Sequence, residues 1–382
     1  MTDPAAIGEA RDTWHWMDWF ASLVRSADGL FRNGLHLESP GDTLMPIRDL
    51  VRSRPLLLAA SWWAICVATA VCGSEPEASP IPALAPPAKI MSAGDIPAVT
   101  ELRRRQPEQF PPVTEQQIRS LEARYVERPI AVDGRLDEAD WRTARRSAAF
   151  VDLVTGEPAV FDTRVAVLWD EQCLYVGYWI QEPAVRAKFL KRDEPIWQDN
   201  DVELFIAFDH AYYELELNAH NTLYEGLFVW QSSYERHGFA DVPSLDRRRP
   251  GVRSQAFQGV GYQRHPRGPR WAFLDWDFPQ LRSAVQIHGT LNQSDDRDRG
   301  WTVEVALPWS GMRTLALGDK RAIPPQAGDV WRMDFSRFNQ YHASPPARDS
   351  GGWALSPHHV WDSHIPEAFP KVTFVQSKAS LP

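Results

Sequence analysis

The sequence VELFIAF at residues 202–208 alternates apolar and polar positions, and YELELN at residues 213–218 repeats the pattern with one apolar and one acidic face. A period of two residues is typical of a half-buried β-strand. Glu214 and Glu216 stand two residues apart on such a strand, so we expect both carboxylates to face solvent.

Similar runs follow one another along the rest of the chain. They lie at residues 164–169, 174–179, 285–291, 301–307, 330–338 and 371–375, and the first two are joined by a hairpin-like spacing. No stretch after residue 145 keeps helical periodicity beyond a turn or two. Antiparallel strands with one apolar face each bury that face by stacking two sheets. The sequence therefore predicts an all-β fold, an antiparallel, jelly-roll-like β-sandwich.

Composition narrows the class of protein. The 382 residues carry a net charge of −9, and Lys and Arg are scattered rather than clustered, which argues against a nucleic-acid partner. The hydrophobic fraction of 43% and the 17 Trp are ample for a core, and 31 Pro favour loops over long helices. Of the three cysteines only Cys173 lies outside the apolar leader described next, where it is expected to be a small buried residue.

The N-terminal part has the layout of an export signal. Three arginines between residues 48 and 54 precede an apolar run at residues 56–71, and small residues follow. We expect residues 1–44 to be an upstream extension, either an over-read before Met45 or a cytoplasmic segment. Residues 45–73 are then a signal peptide or signal-anchor, and Cys72 is a candidate for lipidation. This layout predicts a bacterial periplasmic, envelope or extracellular protein, with membrane anchoring through the leader or Cys72.

A tether separates the leader from the strands. Residues 74–123 are rich in proline, which favours a semi-extended or disordered linker. Residues 114–125 read TEQQIRSLEARY and predict a short helix with a capping box between Thr114 and Gln117. The β-rich domain is expected at residues 124–376, with a tail at residues 377–382.

The loop before the first quoted strand has the chemistry of a ligand site. Residues 191–203 read KRDEPIWQDNDVE, so one indole is surrounded by polar groups of both signs. Neutral, hydroxyl-rich ligands suit this combination, because their C–H faces stack on indole and their hydroxyls need donors and acceptors. Trp197 therefore either stacks on a ligand or caps the end of the sandwich. Trp353, which follows two glycines in a second loop, is the other candidate. Trp169, Trp179, Trp301 and Trp331 lie in strands and are expected in the core.

Several segments, in collinear order, resemble the family 9 carbohydrate-binding domain and its DOMON-like relatives. They include IAVDGRLDE at 130–138, the strand pair at 163–176, NAHNT at 218–222, WTVE at 301–304, GDVWR at 328–332 and HIPEAF at 364–369. The resemblance covers residues 124–376. It implies a sandwich that holds a terminal sugar between two aromatic faces, for which Trp197 and Trp353 are the best match.

Polar groups near these loops complete the predicted site. Arg192 and Asp193 either form an ion pair or reach sugar hydroxyls, where charged hydrogen bonds are strong. Arg337 and Asn339 follow a strand end, Asn218 terminates its strand or faces the pocket, and His364 opens one resembling segment. Asp199, Asp201 and Glu203 supply hard oxygens along one loop and are candidate ligands for a structural calcium ion.

The predicted function is non-catalytic carbohydrate binding in polysaccharide breakdown or uptake, with a saccharide as partner and no cofactor. No pair of carboxylates is singled out across a cleft, and no nucleophile elbow, phosphate loop or His-Glu-x-x-His motif is present. A hydrolytic role would come only by association with a glycoside hydrolase, as an accessory domain. The alternative within the resemblance is a b-type haem electron-transfer module, for which Met312 and Met333 are the available axial methionines, although packing is the default for Met333. The oligomeric state stays open.

Overall fold

The computed structural model describes residues 107–293, 295–340 and 350–376. The predicted leader, Cys72, most of the tether and the tail lie outside these residues. Within them, no helix is both long and apolar enough to cross a bilayer.

Strands are the main regular secondary structure of the described domain. They are β1 Ser120–Tyr125, β2 Val151–Asp152, β3 Thr163–Trp169, β4 Cys173–Gln181, β5 Asp201–Ala207, β6 Ala211–Asn218, β7 Leu223–Trp230, β8 Gln255–Phe257, β9 Arg270–Phe273, β10 Arg282–His288, β11 Gly300–Pro308, β12 Val330–Gln340, β13 Ser350–Ala354 and β14 Lys371–Val375. The helices are short: α1 Ala139–Thr143, α2 Gln231–Tyr234 and α3 Trp309–Leu315. The predicted all-β class is confirmed, and the run predicted at 285–291 begins earlier, at Arg282.

The prediction of a helix at residues 114–125 is wrong, because residues 120–125 form β1. Thr114 and Gln117 do make the predicted capping contact, with the Thr114 hydroxyl donating to Gln117 Oε1 over 2.8 Å, but only a single turn follows it. β1 instead runs parallel to both β3 and β14. The sheet is therefore mixed, whereas its other strand pairs among the described residues are antiparallel.

Neighbouring strands follow the order β10-β11-β4-β3-β1-β14-β12-β5-β6-β7-β9-β8. Side chains from both halves of this order share one buried cluster, for example Tyr178 and Val303 from the first half with Leu204 and Phe335 from the second. The two halves therefore stack face to face, as in a sandwich. The Tyr178 hydroxyl also donates to the Glu203 carbonyl over 2.8 Å and ties the layers together. Cys173 is buried, as predicted.

The outer surface of the second half carries alternate residues of β12, β5, β6 and β7. Its polar members include Glu203, Glu214, Glu216 and Asp334, and we call this surface the acidic face. The expectation that Glu214 and Glu216 face solvent is wrong, since they are only 4% and 3% exposed. Residues 356–369, here called the covering segment, lie over the face, with Phe369 packed in the same cluster as Phe205.

Candidate functional site

Backbone pairing aligns the acidic face in rows that cross four strands. One row contains Ser336, Glu203, Glu216 and Tyr224, each directly opposite the next across its strand pair. Such cross-strand neighbours lie close enough for their side chains to touch. The Ser336 hydroxyl donates to Glu203 Oε2 over 2.8 Å. The carboxylates of Glu203 on β5 and Glu216 on β6 therefore lie next to each other on this face.

The adjacent row contains Asp334, Phe205, Glu214 and Gly226. A Cβ atom on Gly226 would lie 2.7 Å from the Phe228 ring and 3.3 Å from Glu214 Oε2. The absence of a side chain there leaves room for the Glu214 carboxylate, so a larger residue would press on the face.

The covering segment places two histidines on these carboxylates. His358 Nε2 lies 3.2 Å from Asp334 Oδ1, and both side chains are fully buried. His364 Nε2 lies 3.4 Å from Glu214 Oε1, and its Nδ1 is 3.2 Å from the Tyr212 hydroxyl. The face therefore combines buried acids with histidines that can exchange protons or hydrogen bonds with them.

Asp362 fixes the covering segment to a neighbouring loop. Its Oδ2 accepts hydrogen bonds from the backbone N–H groups of Val260, Gly261 and Tyr262 at 2.9 to 3.1 Å. Gly259 adopts a φ of +121°, and a Cβ there would lie 2.3 Å from the Tyr262 carbonyl oxygen, so this turn requires glycine. The position of the two histidines is thus set by backbone contacts.

Burial shifts the protonation of the acidic face. Desolvation raises the pKa of Asp201, Glu214 and Glu216 well above their ordinary values, and nearby carboxylates raise it further. Burial also raises the pKa of Glu203 to about 7, against hydrogen bonds from Ser336 and Ser363 that lower it. Glu203 is therefore partly protonated near neutral pH. Burial favours the protonated form of the other three carboxyls as well, and a protonated carboxyl can donate as well as accept a hydrogen bond.

The histidines shift in opposite directions. Burial lowers the pKa of His364 to about 3, so its imidazole is neutral. Burial also acts to lower the pKa of His358, but the charge and hydrogen bond of Asp334 outweigh it and leave that pKa raised. Asp334 therefore favours the protonated form of His358.

An aromatic pair stands at one edge of the acidic face. Trp197 lies in a 3-10 turn, Ile196–Gln198, and is half-buried. Its ring meets that of Tyr224 edge to face at 4.9 Å between centroids and 73° between planes. The Trp197 backbone also donates a hydrogen bond to Glu216. The partly exposed indole of Trp197 thus contacts the row that contains Glu216 and Tyr224.

Residues 152–241 match the family model of carbohydrate-binding family 9. This part of the chain is similar to family 9 carbohydrate-binding domains. The matched residues include Trp197, Tyr224 and the three glutamates of β5 and β6, and the predicted resemblance is confirmed. The family is one of non-catalytic binding modules.

Three solved structures are similar to this chain. A candidate carbohydrate-binding protein from Bacteroides uniformis is 14% identical, with 67% of this chain and 99% of that chain covered and a TM-score of 0.45. A family 9 module from Caldicellulosiruptor kristjanssonii in complex with cellotriose is 13% identical, with coverage of 69% and 98% and a TM-score of 0.38. Its complex with glucose is also 13% identical, with coverage of 68% and 98% and a TM-score of 0.38. No curated protein matches the chain.

The prediction that Trp353 is an exposed loop residue able to stack on a sugar is wrong. Trp353 lies in β13, is 1% exposed and belongs to the main core. Its ring meets Phe161 edge to face at 5.9 Å and lies 5.2 Å beneath the Arg337 guanidinium. A fully packed indole cannot stack on a sugar in this structure.

Arg337 and Asn339 belong to a buried network around Glu182, at the edge of the core. Arg337 Nη2 lies 3.1 Å from Glu182 Oε2, and Asn339 Nδ2 donates to Glu182 Oε1 over 2.8 Å. Trp301 Nε1 donates to Glu182 Oε2 over 2.8 Å. Both predicted contacts are buried, with Arg337 at 0% and Asn339 at 2% exposure. Their bonds brace the domain around one carboxylate.

Asn218 and Asp199 fix the loop that carries Trp197. Asn218 Nδ2 donates to the Phe189 carbonyl over 2.9 Å and to Asp199 Oδ2 over 3.1 Å. Asp199 Oδ2 also accepts from the Lys188 N–H over 2.8 Å. Among the described residues, no three His, Cys, Asp or Glu side chains are grouped so as to hold a metal ion. Asp199, Asp201 and Glu203 therefore do not assemble a calcium site in this part of the chain.

The remaining predicted residues have other partners. Arg192 pairs with Asp277 at 2.6 Å and with the buried Glu225, rather than with Asp193. Burial and the Asp277 charge raise the pKa of Asp193. His364 reaches the acidic face from the covering segment. Met312 and Met333, the methionines of the haem alternative, are both fully buried in the main core.

Sequence analysis missed Glu214, Glu216, Tyr224 and Asp334 as site residues. The alternation located Glu214 and Glu216 on one face, but an acidic face ordinarily meets water. The only signal against this was the aromatic and histidine content of residues 358–369, which lack a strand or helix period.

The raised Glu203 pKa predicts a pH dependence of stability. A carboxyl with a higher pKa in the folded state contributes most below its unfolded pKa of 4.5, and this contribution is lost as pH rises toward its folded pKa of about 7. We expect Glu203→Gln, which mimics the protonated form, to gain stability relative to the wild type over this range. Urea unfolding at several pH values would measure it.

Glu127→Gln is the matched control, since Glu127 is exposed, and its difference from the wild type should not change with pH. A Glu203→Gln difference equally independent of pH would show that Glu203 has no raised pKa.

Proposed function

We propose that this protein binds carbohydrate, without catalysing a reaction on it, at the edge of the acidic face beside Trp197. The observation that carries the proposal is the contact between a half-buried indole and the row of Glu203, Glu216 and Tyr224, all within the residues that match the family 9 model. The indole offers a flat apolar surface for the C–H face of a sugar ring.

The carboxyl groups of this row supply hydrogen bonds to the hydroxyl groups of the sugar. Glu203 and Glu216 are opposite each other on β5 and β6, so they can reach neighbouring hydroxyls of one sugar. Because their pKa values are raised, each can donate one hydrogen bond and accept others. Burial strengthens these bonds, since water does not compete for the same atoms.

A non-catalytic role is consistent with the arrangement of the acids. A glycosidase needs one carboxyl held as acid and another held ionised, with the bond to be cleaved between them. Here the pKa values of Glu203, Glu214 and Glu216 are all raised by the same cause. The face therefore favours holding a sugar over cleaving a glycosidic bond. The charged and apolar order of residues 48–73 supports an exported setting for this binding, which the mass of the mature protein would test.

Titration calorimetry of the full chain with glucose, cellotriose and a panel of other saccharides tests the proposal. We expect at least one saccharide to bind with millimolar or tighter affinity, equivalent to about 4 kcal/mol or more. Ethylene glycol is the control for weak, unspecific polyol binding. If every saccharide behaves like ethylene glycol, the protein is not a carbohydrate-binding protein of this kind.

A further inference from the structure

The acidic face holds more acids than its cations can match. The described acids on it, or in contact with it from the covering segment, are Asp201, Glu203, Glu214, Glu216, Asp334 and Asp362, each no more than 4% exposed. The described basic groups there are His358, His364, Arg270 and Arg332, and Arg332 pairs with Glu115 outside the face. His358 pairs with Asp334, and Arg270 Nε donates to the Tyr212 hydroxyl over 3.0 Å.

Four of the six acids have clear partners within the protein. Asp334 has His358, Glu214 has His364, Glu203 has the Ser336 hydroxyl, and Asp362 accepts the N–H groups of a turn. The remaining two acids, Asp201 and Glu216, have no such partner for one of their oxygens. Arg337, the cation whose charge acts on Asp201, is bound to Glu182 instead.

Both remaining acids present an oxygen that accepts no hydrogen bond. Asp201 Oδ1 accepts from the Phe338 N–H over 3.0 Å, but its Oδ2 has no partner. Glu216 receives the Trp197 backbone N–H, but its Oε2 has no partner. Leaving a buried acceptor unsatisfied costs about 1–3 kcal/mol, and more for a charged group. Asp201 is opposite Asn218 and Glu216 is opposite Glu203, so the two acids are diagonal neighbours on one face of β5 and β6.

A metal ion is a poor match for these oxygens, because no group of three suitable ligands is found among the described residues. A ligand cation with its own hydrogen-bond donors fits better. An ammonium group supplies three donors and a positive charge from a single atom. Trp197, half-buried beside Glu216, supplies the surface for a ring attached to that ammonium, and cations are favourable near an indole face.

We propose that the saccharide held at this site is an amino sugar, whose protonated amine lies between Asp201 and Glu216. This inference rests on the proposed carbohydrate binding and specifies its ligand class. The ammonium completes the hydrogen bonding of both orphan oxygens, and its positive charge favours the ionised form of the two carboxyls. Such charge-assisted bonds are about twice as strong as those to a neutral hydroxyl.

Three β-1,4-linked trisaccharides that differ at C2 provide the test. Cellotriose carries a hydroxyl there, chitotriose a protonated amine and triacetylchitotriose a neutral amide. Calorimetry on the full chain in a mildly acidic buffer should show chitotriose binding at least about tenfold more tightly than either neutral sugar, which is about 1.4 kcal/mol. Glu216→Gln should remove this preference for chitotriose, whereas Glu127→Gln should preserve it.

The outcomes separate this inference from the proposed function. Equal or tighter binding of cellotriose would overturn the amino-sugar assignment and leave carbohydrate binding intact. Absence of binding by all saccharides would overturn both. A preference for chitotriose that survives in a folded Glu216→Gln variant would also overturn the assignment of the amine to this carboxyl. Ethanolamine binding as tightly as chitotriose would show a site for simple amines rather than for sugars.

Discussion

An Arg337→Ala variant is expected to lose about 3–5 kcal/mol of unfolding free energy, because the substitution leaves Glu182 buried without its counter-charge. Arg337 is 0% and Glu182 2% exposed. The guanidinium also donates to Thr163 Oγ1 and to the Gln181 carbonyl, each over 2.9 Å. One substitution thus removes partners from three elements at once.

Urea unfolding would measure this loss, with Arg164→Ala as the matched control. Arg164 pairs with Asp162 at 2.9 Å, but its side chain is 38% exposed. Exposed ion pairs contribute about 0–1 kcal/mol. If the two alanine variants were equally stable, the Glu182 network would not brace the fold. If Arg337→Ala kept its stability and lost only sugar affinity, the residue would be a ligand contact after all.

The strand pattern was predictable because alternation is a local property. Residues 202–208 and 213–218 show it directly, and they form β5 and β6. Alternation also assigned Glu203, Glu214 and Glu216 to a common face. It could not show that a segment more than 130 residues later in the chain would cover that face. The covering segment owes its position to Asp362 and to backbone contacts, which have no sequence period.

At β1, by contrast, the local sequence pattern predicted the wrong secondary structure. Residues 114–125 contain several good helix formers and a capping pair, so local propensity favours a helix. Tertiary contacts override it, because β1 fills the position between β3 and β14. The Trp169 indole donates to the Ala123 carbonyl over 3.1 Å and holds the strand in place. Parallel pairing between distant segments produces no local sequence pattern from which it could be predicted.

Trp353 was misplaced for a related reason. Two successive glycines, here Gly351 and Gly352, ordinarily indicate a loop, but in β13 they permit close packing of a strand. A Cβ on Gly352 would lie 2.6 Å from the Trp361 ring and 2.8 Å from the Phe338 ring. The glycines therefore let β13 approach its aromatic neighbours, and Trp353 packs inward.

The two tryptophans should respond in opposite ways to truncation. Trp353→Ala removes a fully buried indole from the main core, and we expect a loss of about 3–5 kcal/mol in unfolding free energy. Trp197→Ala removes a half-buried ring whose described aromatic contact is the one with Tyr224, so its cost in stability should be about 1 kcal/mol. Thermal or urea unfolding of both variants would measure this difference.

Sugar affinity should show the reverse order. Trp197→Ala removes the proposed stacking surface, and by analogy with other aromatic contacts this should weaken binding by about 1–3 kcal/mol, or roughly tenfold to a hundredfold. Wherever Trp353→Ala remains folded, its affinity should stay near that of the wild type, because the indole lies away from solvent. A Trp197→Ala protein with unchanged affinity and a large drop in melting temperature would make that residue a cap of the sandwich. The binding site would then have to be sought away from the edge that Trp197 and Tyr224 form.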